Sequence, residues 1–142
     1  RSIAYPTISF INMNIAYKLP GTTISTNLYR MSEAIAPDNN NRLVYNGQKT
    51  RTFTVTSSIS MQVGGSGVTD FLFFFVKYSS AGVASIVTSS ETFIDSNSGY
   101  VQSFPVSGVV QLSAGEYVEL HGARLNGSNK TLTFNSYNMS IR

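Results

Sequence analysis

The sequence predicts an all-β fold in which antiparallel strands form a sandwich or barrel. Between Thr52 and Val63 all six even-numbered residues are polar, and five of the six odd-numbered residues are apolar. This period of two gives a strand one buried and one solvated face. Turn-forming runs of Gly, Asn and Ser then recur at short spacing, as in antiparallel sheets. No helical period is long enough for the crossover helices of a parallel sheet.

The predicted strands follow one another along the chain with turns between them. In the first third, Thr7–Lys18 is strand-like and ends at the break Leu19-Pro20-Gly21, and Ser32–Ala36 has room for one helical turn before the polar loop Pro37–Arg42. The strands expected after this loop are Thr52–Val63, Asp70–Tyr78, Val83–Thr88, Tyr100–Leu112, Glu116–Leu125 and Lys130–Ile141.

Two predicted strands carry irregularities. Pro105 cannot donate a ladder hydrogen bond, so its strand should be an edge strand or carry a bulge there. In the last strand the apolar positions change from even to odd numbers at Asn135-Ser136, which predicts a β-bulge. The chain of 142 residues contains no repeat and no linker, so residues 1–142 are expected to form one domain.

Composition excludes several classes of function. Cysteine is absent, which excludes disulfides, thiolate zinc sites and thiol catalysis. The net charge is +3, but no two basic residues are adjacent, so we expect no nucleic-acid partner. No apolar run approaches the ~18 residues of a membrane-spanning helix, so no membrane span is expected either.

Catalytic and metal-binding motifs are not found. The single histidine, His121, is predicted to be a polar strand residue that shares a face with Tyr117 and Glu119. No nucleophile elbow accompanies it, and the acidic residues form no metal-binding pattern. We therefore expect no catalytic residues, no metal and no cofactor.

The run Phe71–Val76 contains six consecutive apolar residues, four of them Phe. Because a strand alternates its faces, both faces of this strand are apolar, whereas the outer face of a sandwich normally meets water. Something must cover that face, since soluble monomers rarely expose so large an apolar patch. Self-association is the expected cover. The alternative is a segment of the same chain, from the first 50 residues, that lies over the face.

Two segments of the chain carry a resemblance to a known family. The first comprises Asn41–Gly47 and Arg51–Val55, and the second is Val110–Leu120. They resemble the C-terminal head domains of bacteriophage tail fibres and tail needles, in particular the knob of the tail needle of short-tailed phages. Such heads are similar to the jelly rolls of tumour necrosis factor and of complement globular heads. In that superfamily a Leu-x-x-Gly-Asp/Glu turn precedes an x-Val-x-Leu strand. The residues at those places here are Leu112, Gly115, Glu116, Val118 and Leu120.

The resemblance covers about residues 41–142. It implies a jelly-roll knob that forms a homotrimer, has no enzymatic activity and lies at the distal tip of the phage tail, outside the cell. Such a knob contacts the host cell envelope during adsorption and genome ejection. The chain begins at Arg1-Ser2, so we expect an N-terminal stalk to be missing that joins the knob to the tail machinery. Alternatives are a lectin-like module for glycans or small ligands, which converging Tyr and Asn side chains at one loop end would favour, and a small hydrolase of cell-surface polysaccharide.

Two further expectations concern the trimer. Phe71, Phe73 and Phe75 share one face of their strand and are assigned to the trimer interface, because aromatic rings can pack around a three-fold axis. Leu72, Phe74 and Val76 are then expected in the sandwich core, where mixed shapes interdigitate, with Lys77 at the interface rim. Because the net charge is +3, a small ligand between protomers should be anionic. The candidate residues for this site are Arg30, Arg42, Arg51 and Arg124.

Overall fold

A computed structural model describes residues 6–20, 35–37 and 41–142 of the chain, the middle range for its backbone only. These residues form eleven β-strands and one turn of 3-10 helix, Thr88–Ser90. The strands are β1 (Thr7–Phe10), β2 (Ala16–Lys18), β3 (Ile35–Pro37), β4 (Leu43–Tyr45), β5 (Arg51–Val63), β6 (Val68–Tyr78), β7 (Ala84–Ile86), β8 (Thr92–Asn97), β9 (Val101–Leu112), β10 (Tyr117–Arg124) and β11 (Lys130–Ile141).

The strands form two antiparallel sheets. The first sheet has the order β1-β11-β5-β9. In the second sheet β10 and β6 are the central pair, and they are paired from Tyr117↔Tyr78 to Arg124↔Phe71. Strands β2 and β4 lie along the other edge of β10, and β3 lies beyond β4. Strands β7 and β8 lie along the other edge of β6. The predicted antiparallel all-β architecture is confirmed.

One hydrophobic core lies between the sheets. Strand β5 contributes its odd-numbered apolar residues, including Val55 and Ile59, as its alternating pattern predicts. The second sheet contributes the odd-numbered Phe residues of β6 to this core. The ring centroid of Phe73 lies 5.0 Å from that of Phe104 on β9. Each buried Phe side chain contributes about 1.5–3 kcal/mol to folding. The aromatic residues therefore hold the two sheets together.

Most long strands lie within two residues of their predicted bounds. Pro105 lies on β9, which is an edge strand of the first sheet. The pairing of β11 with β5 shifts register between Phe134 and Ser136, so the predicted β-bulge is confirmed. These features depend on a single strand, and a local sequence pattern is sufficient to predict them.

Short strands depart from the predictions. Thr7–Lys18 is not one strand but contains β1 and β2, which belong to different sheets. The expected strand Val83–Thr88 is limited to β7, and β4 and β8 were not predicted. In the expected helical turn Ser32–Ala36, Ile35 and Ala36 belong to β3, and 32–34 lie outside the described residues. Strands of three residues are too short to show a period of two, so pairing with β6 and β10 decides where they form.

The segment Leu112–Leu120, which carries the expected turn motif, joins β9 to β10. Leu112, Val118 and Leu120 are buried in the core. Gly115 has φ +79°, a conformation that residues with a side chain rarely adopt. The Glu116 carboxylate accepts a hydrogen bond from the Ser113 N–H at 2.7 Å and pairs with Lys77 Nζ at 2.7 Å. The motif therefore serves to connect the two sheets.

No helix in the described part of the chain is both long and apolar enough to span a membrane.

Candidate functional site

The two outer faces of the sandwich differ in chemistry. The outer face of the first sheet bears the hydroxyl side chains of β5, such as Thr56, whose Oγ1 lies 2.7 Å from Ser140 Oγ on β11, and the exposed Val101 and Val109 of β9. The outer face of the second sheet bears apolar, aromatic and ionisable side chains. Its central pairs are Leu72 with Ala123, Phe74 with His121, Val76 with Glu119, and Tyr78 with Tyr117.

Two exposed hydrophobic residues extend this outer face of the second sheet. Phe93 of β8 pairs with Leu72 and is 68% exposed, and Ile86 of β7 pairs with Val76 and is 52% exposed. Leu72 and Val76 are four positions apart, or about 13 Å along a strand. We call Phe93 and Ile86 the apolar flank. Exposed aromatic and branched side chains at this spacing suit contact with another surface.

The sequence-based assignment of the faces of β6 is wrong. Phe71, Phe73 and Phe75, the expected trimer interface, are each 0% exposed and pack between the two sheets of a single chain. They have no surface left to offer to a second copy. Lys77, expected at the interface rim, donates through Nζ to the Gln111 carbonyl oxygen at 2.7 Å and thus ties β6 to β9 within the chain. The even-numbered residues of β6 are the outward-facing set.

The centre of the outer face is already covered within the single chain. Phe74 and Val76 are 3% and 5% exposed and form a small cluster with Ala123, apart from the main core. The proposed covering segment from the first 50 residues includes 21–34 and 38–40, which lie outside the described residues. On this face Phe93 and Ile86 of the apolar flank, with Val68 at the start of β6, are large hydrophobic residues that stay accessible.

An ionic group lies at the centre of the outer face. Glu119 Oε1 is 2.7 Å from Lys18 Nζ, and Glu119 Oε2 is 3.0 Å from His121 Nε2. Burial alone would raise the pKa of Glu119, but the hydrogen bonds from His121 and Lys18 outweigh burial and lower it. His121 Nδ1 is buried and has no hydrogen-bond partner among the described residues. The histidine therefore serves as a partner of Glu119, on the face that its sequence position predicted.

An aromatic stack lies at one end of the same face. The rings of Tyr78 and Tyr117 are 4.9 Å apart and nearly parallel, at 8°. The Arg42 guanidinium lies over the Tyr117 ring, 4.4 Å from its centroid, in a cation–π arrangement. Burial, together with the negative charge of Glu119, raises the pKa of Tyr78. The stack thus forms a polar aromatic end next to the apolar centre.

The predicted arginines do not converge in one chain. Arg124 is buried and donates to the backbone carbonyl oxygens of Phe10, Ile11, Asn126 and Gly127, so its fork cannot receive an anion; that part of the prediction is wrong. Arg42, over Tyr117, lies at the opposite end of β10, seven residues or roughly 23 Å from Arg124. Arg51 begins β5 in the first sheet. Arg30 lies outside the described residues.

Neither a hydrolytic triad nor a metal-binding group is formed by the described residues of this face. A hydrolytic triad needs a hydroxyl nucleophile hydrogen-bonded to the histidine, but the only hydrogen-bond partner of His121 among the described residues is Glu119. Across the ranges with described side chains, no three His, Asp or Glu residues form a group that could hold a metal ion. These residues therefore act on one another and on the packing of the face.

Neither a scan against models of protein families nor a search of curated protein sequences finds a match to this chain.

Proposed function

We propose that this chain is a non-catalytic head domain that assembles as a homotrimer and forms the distal tip of a phage tail needle or tail fibre. In this role the trimer is part of the virion and contacts the host cell envelope during adsorption and genome ejection. The observation that carries the self-association is the apolar outer face of the second sheet, where Phe93 and Ile86 remain exposed beside β6. The resemblance of residues 41–142 to phage heads supports the trimeric state and the virion role.

The apolar flank supports a protein partner for the second sheet. Burial of one Phe side chain contributes about 1.5–3 kcal/mol, and a symmetric assembly gains that amount from every protomer. On the outer face of the first sheet, burial of the many hydroxyl groups would gain little, because polar groups that leave water must find new hydrogen-bond partners. A second copy of the chain is the simplest partner, because it presents the same flank.

A jelly-roll topology is part of this proposal. After β8 the chain passes from β9 in the first sheet to β10 in the second and back to β11 in the first. Such alternation between facing sheets is what a jelly roll requires. The turn motif at Leu112–Leu120 makes the first of these crossings. Its resemblance to phage heads therefore supports a common fold and does not identify a receptor.

Light scattering of the purified chain tests the assembly. The expected mass is about three times 15.5 kDa. Phe93→Asp should give a folded chain of lower mass, because a carboxylate on each copy would have to be buried without a partner. Val109→Asp is the matched control: Val109 is 56% exposed, lies on β9 in the other sheet and should keep the full mass. A wild-type monomer at micromolar concentration, or equal loss of mass in both variants, would contradict the proposal.

Virion experiments test the location and the role. Antibodies raised against this chain should label the distal end of the tail in electron micrographs, and an excess of the soluble trimer should slow adsorption of the phage. Labelling elsewhere on the particle, or no effect on adsorption, would contradict the proposed role in attachment. Neither result would bear on whether the chain forms a trimer.

A further inference from the structure

We propose that a cleft beside the turn between β8 and β9 is a binding site for a neutral sugar. This inference extends the proposed contact with the host envelope and rests on that role for its biological setting. Sugar binding by the cleft itself does not depend on self-association. The inference makes the proposed contact with the host envelope more specific, because it names the residues that bind and the chemical class of the ligand.

The cleft lies where the chain leaves the second sheet and enters the first. It has a volume of about 390 Å³, within the range of small-molecule sites, and opens to solvent. Asp95 and Asn97 of β8 line one side, and Val101 and Gln102 of β9 line the other. Tyr100, the residue before β9, stands beside them and is 70% exposed. A tyrosine and an asparagine thus converge at one loop end.

Hydrogen bonds hold the walls of the cleft in place. Gln102 Nε2 donates to the Asp95 carbonyl oxygen at 3.1 Å and so links β9 to β8. The Gly99 N–H donates to the Val63 carbonyl oxygen at 2.8 Å, and Gln62 Nε2 donates to the Gly99 carbonyl oxygen at 2.9 Å. Because the turn is tied to β5, the cleft is formed before a ligand arrives and little ordering is needed on binding.

The side chains of the cleft have the chemistry that a sugar ring needs. Three polar groups of the cleft make no hydrogen bond to any described residue: the Tyr100 hydroxyl, the Asp95 carboxylate and the Asn97 amide. All three can therefore bind ligand hydroxyls. The exposed Tyr100 ring offers an apolar surface to the C–H face of a pyranose. Gln102 contributes to the wall through its Nε2, which is already bound to the Asp95 carbonyl oxygen, so the ligand is met by the other three side chains.

Local charge selects against acidic sugars. Asp95 lies directly opposite Asp70 in the pairing of β8 with β6, so two carboxylates stand side by side on the outer face. Asp70 Oδ2 accepts a hydrogen bond from Asn126 Nδ2 at 2.5 Å, and none of the ion pairs between described residues involves either aspartate. A uronic or sialic acid would add a third negative charge. The net charge of +3, which favours anions for the molecule as a whole, does not describe this cleft.

Saturation-transfer NMR and calorimetry on the intact chain test the inference. The neutral probes are oligomers of glucose, of galactose and of N-acetylglucosamine; the acidic probes are oligogalacturonate and sialyllactose. At least one neutral probe should bind, with amide shift changes centred on residues 95–102, and the acidic probes should bind more weakly. Tyr100→Ala should weaken binding about tenfold through loss of the ring contact, whereas Tyr100→Phe keeps the ring and most of the affinity.

Val109→Ala is the matched control, an exposed position on β9 outside the cleft, and should bind like the wild type. The inference is overturned if no neutral probe binds at millimolar concentration, if acidic probes bind better, or if Tyr100→Ala binds unchanged. Should Tyr100→Ala fail to fold, the shift map of the wild-type chain decides the site. Light scattering on the same samples separates this result from the assembly proposal, because Tyr100→Ala should keep the full oligomeric mass.

Discussion

At the scale of single residues, the buried side chains of Arg124, Lys130 and Glu119 each have a close hydrogen-bonding partner. Arg124 and Lys130 are buried and pair with no carboxylate among the described residues; both donate instead to backbone carbonyl oxygens, Lys130 to that of Ser66. Glu119 is buried and is held by Lys18 and His121. Removal of one partner of such a buried group leaves the other unsatisfied.

Glu119 should make stability depend on pH in the acid range. Its pKa is lower in the folded chain than the ordinary value, about 4.3, that it regains on unfolding. Its contribution is therefore present above the unfolded pKa and is lost as pH falls through the folded pKa. Glu119→Gln should lower stability at pH 7 by about 1–3 kcal/mol, because Lys18 and His121 lose a charged partner.

Urea unfolding at fixed protein concentration, from pH 7 to pH 3, measures this effect. The gap between wild type and Glu119→Gln should narrow as the pH falls below about 4. Gln111→Glu, on the exposed side of β9, is a control that should leave the stability at pH 7 nearly unchanged. A gap that stays constant over the whole range would show that the charge of Glu119 has no part in stability.

At the scale of elements, the close contact of β10 with β6 depends on the absence of a side chain at Gly122. A Cβ built there would lie 2.9 Å from Phe73 Cε1 and 3.2 Å from Phe10 Cζ, on the core face of the second sheet. Side chains at such distances must move, and the rings around this position are already packed in the core. The glycine therefore lets a Phe of the neighbouring strand fill the space over β10.

Gly122→Ala should destabilise the chain by about 1–3 kcal/mol through overpacking. Phe73→Leu should also destabilise it, by leaving a cavity. The double variant should be less destabilised than the sum of the two, because the added methyl group enters the space that the ring vacates. Thermal unfolding of the four proteins of this cycle measures the coupling. Strict additivity would contradict the packing described for this pair.

An edge strand of the first sheet carries a residue that hinders the addition of a further strand. Strand β9 is an edge strand that carries Pro105, which pairs with Ser58 of β5 on its inner side. Proline at an edge leaves one ladder position without a donor and hinders addition of a further strand. The β9 edge of the first sheet is thereby protected against edge-to-edge association, which is consistent with the proposed contact through the second sheet.

At the scale of the whole molecule, folding and the proposed assembly depend on different faces of the second sheet. The odd-numbered residues of β6 face the first sheet, and the exposed apolar flank faces outward. Phe73→Asp should therefore prevent folding, because it places a lone charge in the core between the sheets. Circular dichroism checks this directly: the variant should lose the β-sheet signal that Phe93→Asp keeps. A folded Phe73→Asp chain would mean that its face is not the core.

The sequence by itself determined the class of fold and much of its detail, because these features are encoded within single strands. The alternation in Thr52–Val63 predicts a half-buried strand, Pro105 predicts an edge strand or a bulge, and the change of parity at Asn135-Ser136 predicts a bulge. His121 was correctly placed on a face with Glu119 for the same reason. None of these inferences required knowledge of the partner strand.

Only the tertiary structure decided which face of β6 is inside, what Arg124 binds and where a cleft forms. When both faces of a strand are apolar, as in Phe71–Val76, periodicity separates two sets of residues but does not say which set meets the other sheet. The fork of Arg124 is filled by carbonyl oxygens more than 100 positions away in sequence, at Phe10 and Ile11. Tyr100 gains its significance from Asp95 and Asn97, which belong to a strand too polar to be recognised as one. Such features depend on contacts between segments that are distant in the sequence. The free energy of such a contact depends on both residues together, so neither local pattern predicts it.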